Sequence, residues 1–292
     1  MSYSPATSTR TLESVRLFCR KLGAVAARAE IAYRASNLFV RVIPDNVIVK
    51  VAMKRTASGA WRTFRDDIAV SRRLIAHGCH VATPSRALPA GPHQHDNLVL
   101  SLWEPVKPGR PAAIREAARA LRVCHEALAD FQPEEPPTDL LDELHLRLDQ
   151  TPPCHFHHGE ARLLQSALEA MHDMLPPADT SFQQVHGDAH QGNTIGGRTC
   201  RWLDWEETTV CHPAWDLATL VAGPLAATDD RAYIADAVAG YGSAVDRSIV
   251  ERYITLRMLQ HEVWSASVNS ASHQRRIARQ RWIRQDLPAR RH

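Results

Sequence analysis

Apolar positions in the first hundred residues come in short runs bounded by turn residues. Asn37-Leu38-Phe39-Val40-Arg41-Val42-Ile43 and Val47-Ile48-Val49-Lys50-Val51-Ala52 flank Pro44-Asp45-Asn46, which predicts two strands joined by a turn. Leu98-Val99-Leu100-Ser101-Leu102-Trp103 predicts a further, buried strand. The stretch Glu104-Pro105-Val106-Lys107-Pro108-Gly109 after it marks a domain boundary. Helical spacing appears at residues 11–22, with Leu12, Val15 and Leu22 among the apolar positions, and at 61–77. Beyond the boundary it dominates: 110–131, with Leu121, Leu128 and an Ala-rich face, then 138–149, 160–175, 229–241, 246–268 and 271–285. The pattern predicts an α+β protein, with a small mixed part over residues 1–104 and a larger, mainly helical part over residues 105–292.

Composition narrows this little. The chain has 292 residues, enough for one large or two modest domains, and 44% hydrophobic residues allow a sizeable core. Six cysteines without CxxC spacing suit reduced, mostly buried thiols in a cytoplasmic protein. No run of 18 apolar residues occurs and residues 1–10 lack the apolar core of a signal peptide, so no membrane association is expected. The net charge of +3 names no partner. Residues 275–292 carry seven arginines and one aspartate, read as a solvated helix face. With Trp282 the one aromatic there, nucleic-acid binding is not expected. No internal repeat is present, and oligomeric state is not legible.

The candidate chemistry is concentrated in His186-Gly187-Asp188-Ala189-His190-Gln191-Gly192-Asn193 and Leu203-Asp204-Trp205-Glu206. Residues 194–203 read as two short strands around a Gly-Gly turn centred between Arg198 and Thr199. Such a hairpin sets Asn193 opposite Asp204, with Asp188 close by. An amide and a carboxylate at one spot offer hard oxygens, suited to magnesium whose shell phosphate oxygens complete. Lys50 is the one charge inside its apolar strand, and the helix that follows is rich in charge.

These residues resemble the aminoglycoside phosphotransferase and choline kinase family, which has the two-lobe protein-kinase-like fold. The family signature is His-Gly-Asp, four residues, Asn, then a hydrophobic strand ending in Asp. The resemblance covers most of the chain. It implies an ATP-dependent, magnesium-dependent phosphotransferase acting on a hydroxyl of a small molecule such as an aminoglycoside, amino sugar or amino alcohol. It implies Asp188 as catalytic base and Asn193 and Asp204 as metal ligands. His186 would support the loop, and Asp216, in Pro213-Ala214-Trp215-Asp216-Leu217-Ala218, would brace it through backbone hydrogen bonds. Lys50 would contact the nucleotide phosphates, so Lys50→Met is expected to lose ATP use with the fold kept.

Two positions depart from the family pattern. The acidic partner of Lys50 is usually Glu; here it is Asp67, or its neighbour Asp66. The phosphate-covering loop, Tyr33-Arg34-Ala35-Ser36-Asn37, has no glycine, and leaves Ser36, Asn37 and backbone amides as donors. The adenine is expected along Trp103, Glu104 and Val106. Glu206, Glu207 and Glu262 are candidate acceptor-binding carboxylates, while Glu206 also suits support of the metal-site loop. Trp264 reads as core packing. His155-Phe156-His157-His158 reads as a surface loop, and His190 as a loop residue near the phosphates. Two rivals remain: a nucleotide-binding pseudokinase, and a metal-dependent hydrolase using His186, Asp188, His190 and Asp204.

Overall fold

The computed structural model describes residues 5–53, 56–132, 140–157, 159–176, 181–268 and 273–286. Contacts divide the chain into two compact units: Met1–Arg110 with Arg201–Thr208, and Pro111–Cys200 with Thr209–His292. The boundary read from sequence leaves residues 201–208 with the later part of the chain. Backbone hydrogen bonds hold them in the first unit: the Ala82 N–H donates to the Trp202 carbonyl and the Trp202 N–H to the His80 carbonyl, both at 3.0 Å.

In the first unit, helix α1 (Pro5–Lys21) precedes strands β1 (Arg28–Arg34), β2 (Leu38–Ile43) and β3 (Val47–Val51). Helix α2 (Ala57–Ala76) and strands β4 (His93–His95) and β5 (Leu98–Trp103) follow. The strands form an antiparallel sheet in the order β1-β2-β3-β5-β4. Strand β4, His-Gln-His, has no apolar alternation to announce it. Asn46 turns β2 into β3 with φ +55°, a left-handed conformation that asparagine tolerates.

Strand periodicity then sorts the side chains. Leu38, Val40, Val42, Val47, Val49 and Val51 pack with Val15, Phe18 and Cys19 of α1 and with Leu100 and Leu102 of β5. Fully burying each such side chain contributes about 1.5–3 kcal/mol relative to leaving it exposed. Ile48 and Lys50, one residue out of step, face the opposite side. There Ile48 packs near Ile68 of α2 and Trp103, and the Lys50 ammonium lies 5.2 Å from the Phe64 ring centroid. Lys50 thus sits on an inner strand, under α2. That helix starts earlier than the sequence predicts because Thr56 caps it, its side chain accepting from the Gly59 N–H at 3.3 Å.

The second unit contains helices α3 (Ile114–Leu128), α4 (Leu140–Asp149), α5 (Glu160–Met174), α6 (Ala214–Thr228), α7 (Ala232–Tyr241), α8 (Arg247–Ser267) and α9 (His273–Asp286). The two short strands expected around the Gly-Gly turn occur as β7 (Thr194–Ile195), after β6 (Gln183–Val185) in this unit, and β8 (Arg201–Trp202), which belongs to the first. β9 (Thr209–Cys211) pairs antiparallel with β6. Helix α7 approaches α3 closely enough that a Cβ at Gly240 would run into the Arg115 carbonyl. Among the described residues, no helix is long and apolar enough to cross a membrane. Five cysteines are buried and Cys154 is exposed.

Two sequence expectations are corrected here. Helix α9 is not simply a solvated arginine face: Trp282 and Ile283 are buried, and Arg276 and Arg279 reach inward. Arg276 pairs with Glu160, and the Arg279 Nε donates to Glu262 Oε1 at 2.5 Å. The cause is that Glu160 and Glu262 are themselves buried and need cations. Trp264 is 49% exposed rather than in the core. His158, Arg275 and residues 287–292 lie outside the described residues or side chains.

The buried pair carries a stability prediction. Burial raises the Glu262 carboxyl above its ordinary pKa, against the pull of Arg279, Gln280 and Arg276. Arg279→Met removes its shortest ionic contact and should cost about 3 kcal/mol, measured by urea unfolding. A loss under about 0.5 kcal/mol, the scale of a surface substitution, would contradict the pairing.

Candidate active site

In the first unit, three carboxylates converge on one ammonium. Lys50 Nζ lies 2.8 Å from Asp67 Oδ2, 2.5 Å from Asp204 Oδ1 and 2.9 Å from Glu206 Oε2. The Lys50 and Asp67 side chains are each 2% exposed, Glu206 5% and Asp204 26%. Asp204 adopts φ +62° and opens the 3-10 turn Trp205–Glu207, so the chain reverses and both Asp204 and Glu206 reach the same ammonium. The second Asp67 oxygen accepts from the Trp205 N–H at 3.2 Å, fixing that turn on α2. Asn37 Nδ2 donates to Glu206 Oε2 at 2.8 Å.

Burial disfavours the Lys50 charge, but Asp67, Asp204 and Glu206 more than offset it and hold its pKa well above the ordinary lysine value. Burial pushes Asp67 up to about 6; Lys50 pulls it down, while Asp204 and Glu206 push it up. Three carboxylates against one ammonium leave two formal negative charges in excess. That surplus favours a divalent cation, and Asp204 is the most exposed of the three donors. Among the described residues, no three His, Cys, Asp or Glu side chains are arranged to hold a metal by themselves. Magnesium does not need such a cage: it is commonly bound through one or two carboxylates plus substrate phosphates.

In the second unit, β6 runs into His186-Gly187-Asp188. Gly187 has φ +83°, where a side chain would be strained. Asp216, fully buried at the start of α6, accepts from the His186 N–H at 2.6 Å and the Gly187 N–H at 2.9 Å. Its Oδ2 also meets His125 Nε2 at 2.9 Å, and His125 Nδ1 meets the Tyr241 hydroxyl at 2.8 Å. Trp215 Nε1 donates to the Gly187 carbonyl at 2.9 Å. The loop beyond is tied to itself: the Asp188 carbonyl accepts from Asn193 Nδ2 at 3.0 Å, and the Asn193 N–H donates to the His190 carbonyl at 2.9 Å.

Asp188 is 31% exposed at its side chain. Its Oδ1 accepts from Arg257 Nη2 at 2.6 Å, and His190 Nε2 lies 3.4 Å from Oδ2. Burial favours its neutral form, yet the His190 hydrogen bond and the Arg257 charge hold its pKa well below the usual carboxylate range. Burial, then Arg257 and Arg279, push His261 down to about 3, leaving it neutral at pH 7.

Among the residues singled out from sequence, Lys50, Asp67, Asp204 and Glu206 are brought together, and Asp67 rather than Asp66 meets Lys50. Asp66 instead pairs with Arg65 at 2.9 Å. His186, Asp188, Asn193 and Asp216 share one loop system. Asn37 is committed to Glu206, and Ser36 is exposed. Trp103 is buried with Nε1 donating to Ser101 Oγ at 2.9 Å. The Glu104 N–H is used by the Thr83 carbonyl and its carboxylate by the Arg86 N–H, each at 2.8 Å, while Val106 is half-buried. Glu207 is exposed. Glu262 is corrected as an acceptor-binding carboxylate: it is buried and occupied by Arg279, Arg276 and Gln280. His186 is fully buried, and its Nδ1 accepts from the Asp188 N–H at 3.4 Å.

Sequence reasoning missed His125, Tyr241 and Arg257. Arg257 had a usable signal, being the one charge within Tyr253-Ile254-Thr255-Leu256-Arg257-Met258-Leu259. His125 and Tyr241 had none, since His125 meets Asp216 and Tyr241 meets His125, each distant in sequence.

A sequence profile of the phosphotransferase enzyme family matches residues 29–252. No curated protein matches the chain in sequence. Among solved structures, an amicoumacin kinase in complex with AMP-PNP, Ca2+ and Ami is similar with TM-score 0.72 at 13% identity, covering 97% of each chain. A microcompartment-associated aminopropanol kinase gives TM-score 0.70 at 15% identity, covering 92% of this chain and 94% of that one. A choline kinase from Streptococcus pneumoniae gives 0.67 at 12% identity, covering 94% and 98%. At such identities the likeness is one of fold, and the fold is kinase-like.

Proposed function

The chain belongs to the phosphotransferase enzyme family, and on that premise we propose that it moves the γ-phosphate of ATP to a hydroxyl of a small molecule, with magnesium. The observation that carries the proposal is the buried cluster in which Lys50 is shared by Asp67, Asp204 and Glu206. A protein does not maintain an ammonium among three carboxylates for stability alone, since desolvation costs several kcal/mol per ion. Lys50, held in place by Asp67, would meet the nucleotide phosphates. Asp204 and Asn193 would offer oxygens to magnesium, and Glu206 would support the turn that carries Asp204. The ion, when bound, supplies charge neutralisation on the phosphate oxygens.

Asp188 would orient the acceptor hydroxyl. The new bond forms from that oxygen to the γ-phosphorus as the bond to the β,γ-bridging oxygen breaks. ADP leaves, and the hydroxyl proton passes to Asp188. Asp216 keeps the loop in shape by satisfying two backbone N–H groups. The adenine is assigned to Trp103–Val106, where the Glu104 carbonyl and Val106 backbone remain to meet it. A nucleotide-bound structure checks that assignment.

The acceptor is a small hydroxylated molecule. Glu206 and Glu262 are both engaged, so neither supports recognition of a cationic acceptor. The test is ADP release and phosphorylated product, by mass spectrometry, from ATP, MgCl2 and a panel of amino alcohols, amino sugars, sugars and nucleosides. A product with transferred phosphate supports the reading. Magnesium-dependent ATP binding with no transfer to any member would favour a pseudokinase.

A further inference from the structure

Arg257 interrupts an apolar stretch of α8, flanked by the buried Ile254, Leu256, Met258 and Leu259. Its side chain is 10% exposed, an expensive place for a charge without a task. Three contacts hold the guanidinium. Nη2 donates to Asp188 Oδ1 at 2.6 Å, Nη1 donates to the Gln260 side-chain oxygen, and the central carbon lies 5.4 Å from the Trp215 ring centroid. The same indole donates through Nε1 to the carbonyl of Gly187, the residue before Asp188. One tryptophan therefore carries Arg257 on its face and clamps the Asp188 loop with its edge.

We propose that Arg257 is a positioning residue for phosphate transfer, holding Asp188 by Oδ1 so that Oδ2, which has His190 Nε2 at 3.4 Å, faces the acceptor hydroxyl. This rests on the reading of Asp188 as the acceptor-facing group. An aspartate free to sample its staggered rotamers would present either oxygen in several directions. A charge-assisted hydrogen bond to one oxygen removes that freedom. That suits a transfer whose transition state asks for positioning more than for proton abstraction. Lysine is a poor substitute, because it lacks the planar fork that both stacks on Trp215 and reaches two oxygens.

The test compares kcat and KM for Arg257→Ala, Arg257→Lys and Asp188→Asn on the best acceptor, with guanidinium chloride added at low millimolar concentration. Arg257→Ala should lose about 100-fold in kcat, the scale of a misplaced reacting group, while KM for ATP stays within about twofold. Added guanidinium should restore about tenfold of that loss. Arg257→Lys should remain at least about tenfold down in kcat. Wild-type kcat in either arginine variant overturns the proposal. So does a lowered melting temperature with a kcat loss that guanidinium leaves untouched, since a purely structural role predicts that pattern. Near-normal turnover in Asp188→Asn overturns the reading of Asp188 itself. An inactive Asp188→Asn beside a normal Arg257→Ala overturns only the role of Arg257.

Discussion

Asp188→Asn is expected to lower turnover by about 10²–10⁴-fold while leaving the fold intact. Asparagine keeps the shape of the side chain and can still accept through its oxygen. It loses the negative charge that Arg257 and His190 surround and the ability to take up the acceptor proton. The Asp188 backbone carbonyl, which receives Asn193 Nδ2 at 3.0 Å, is untouched, so the loop keeps that tie. Steady-state rates of ADP release on the best acceptor measure the effect. The loss should fall on kcat and on kcat/KM alike, the signature of an interaction made in the transition state. Turnover within about threefold of wild type, far above the range for a lost acid-base group, would exclude Asp188 from the chemistry.

Lys50→Met is expected to damage both stability and ATP use. The sequence reading expects ATP use to be lost with the fold kept. The structure argues otherwise. Removing the ammonium leaves Asp67 and Glu206 buried without their cation, and uncompensated buried charge costs about 3–5 kcal/mol. For a chain of this size that corresponds to roughly a 10 °C fall in melting temperature. Added Mg2+ should recover more stability in the variant than in the wild type, since the surplus negative charge is then larger. Thermal unfolding with and without MgCl2 measures both. A variant that melts like the wild type would mean that the three carboxylates do not depend on Lys50.

Much of this was legible because the physics is local. The alternation in residues 37–52 places Lys50 opposite the valines, and a turn-forming Pro-Asp-Asn joins the strands. The spacing of Asp188, Asn193, Asp204 and Asp216 carried the family resemblance, and the family profile matches residues 29–252. What stayed hidden depends on long-range pairing. Nothing near residue 276 says that its arginine meets Glu160, and nothing near Glu262 says that α9 will neutralise it, so Glu262 looked available and the C-terminal arginines looked solvated. The attachment of residues 201–208 to the first unit rests on backbone bonds to residues 80 and 82 and is equally silent in sequence. Asn37 was read as a phosphate donor because it sits in the right loop, but its amide is drawn to Glu206, a partner 169 residues away. Arg257 is a different case. A single charge in an apolar run singled out Lys50, and the same signal in α8 marks the arginine that holds Asp188.

The proposed division of labour between Asp188 and Asp204 is the central claim, and calorimetric titration of Mg-ATP into the Asp188→Asn and Asp204→Asn variants tests it most directly. Asp204→Asn removes a carboxylate from the cluster around Lys50 and should weaken Mg-ATP binding by about tenfold or more, roughly the worth of one charged ligand. Asp188→Asn should bind Mg-ATP within about twofold of wild type, because the proposal assigns its side chain to the acceptor. Equal, large losses of Mg-ATP affinity in both variants, or undiminished affinity in Asp204→Asn, would contradict the assignment.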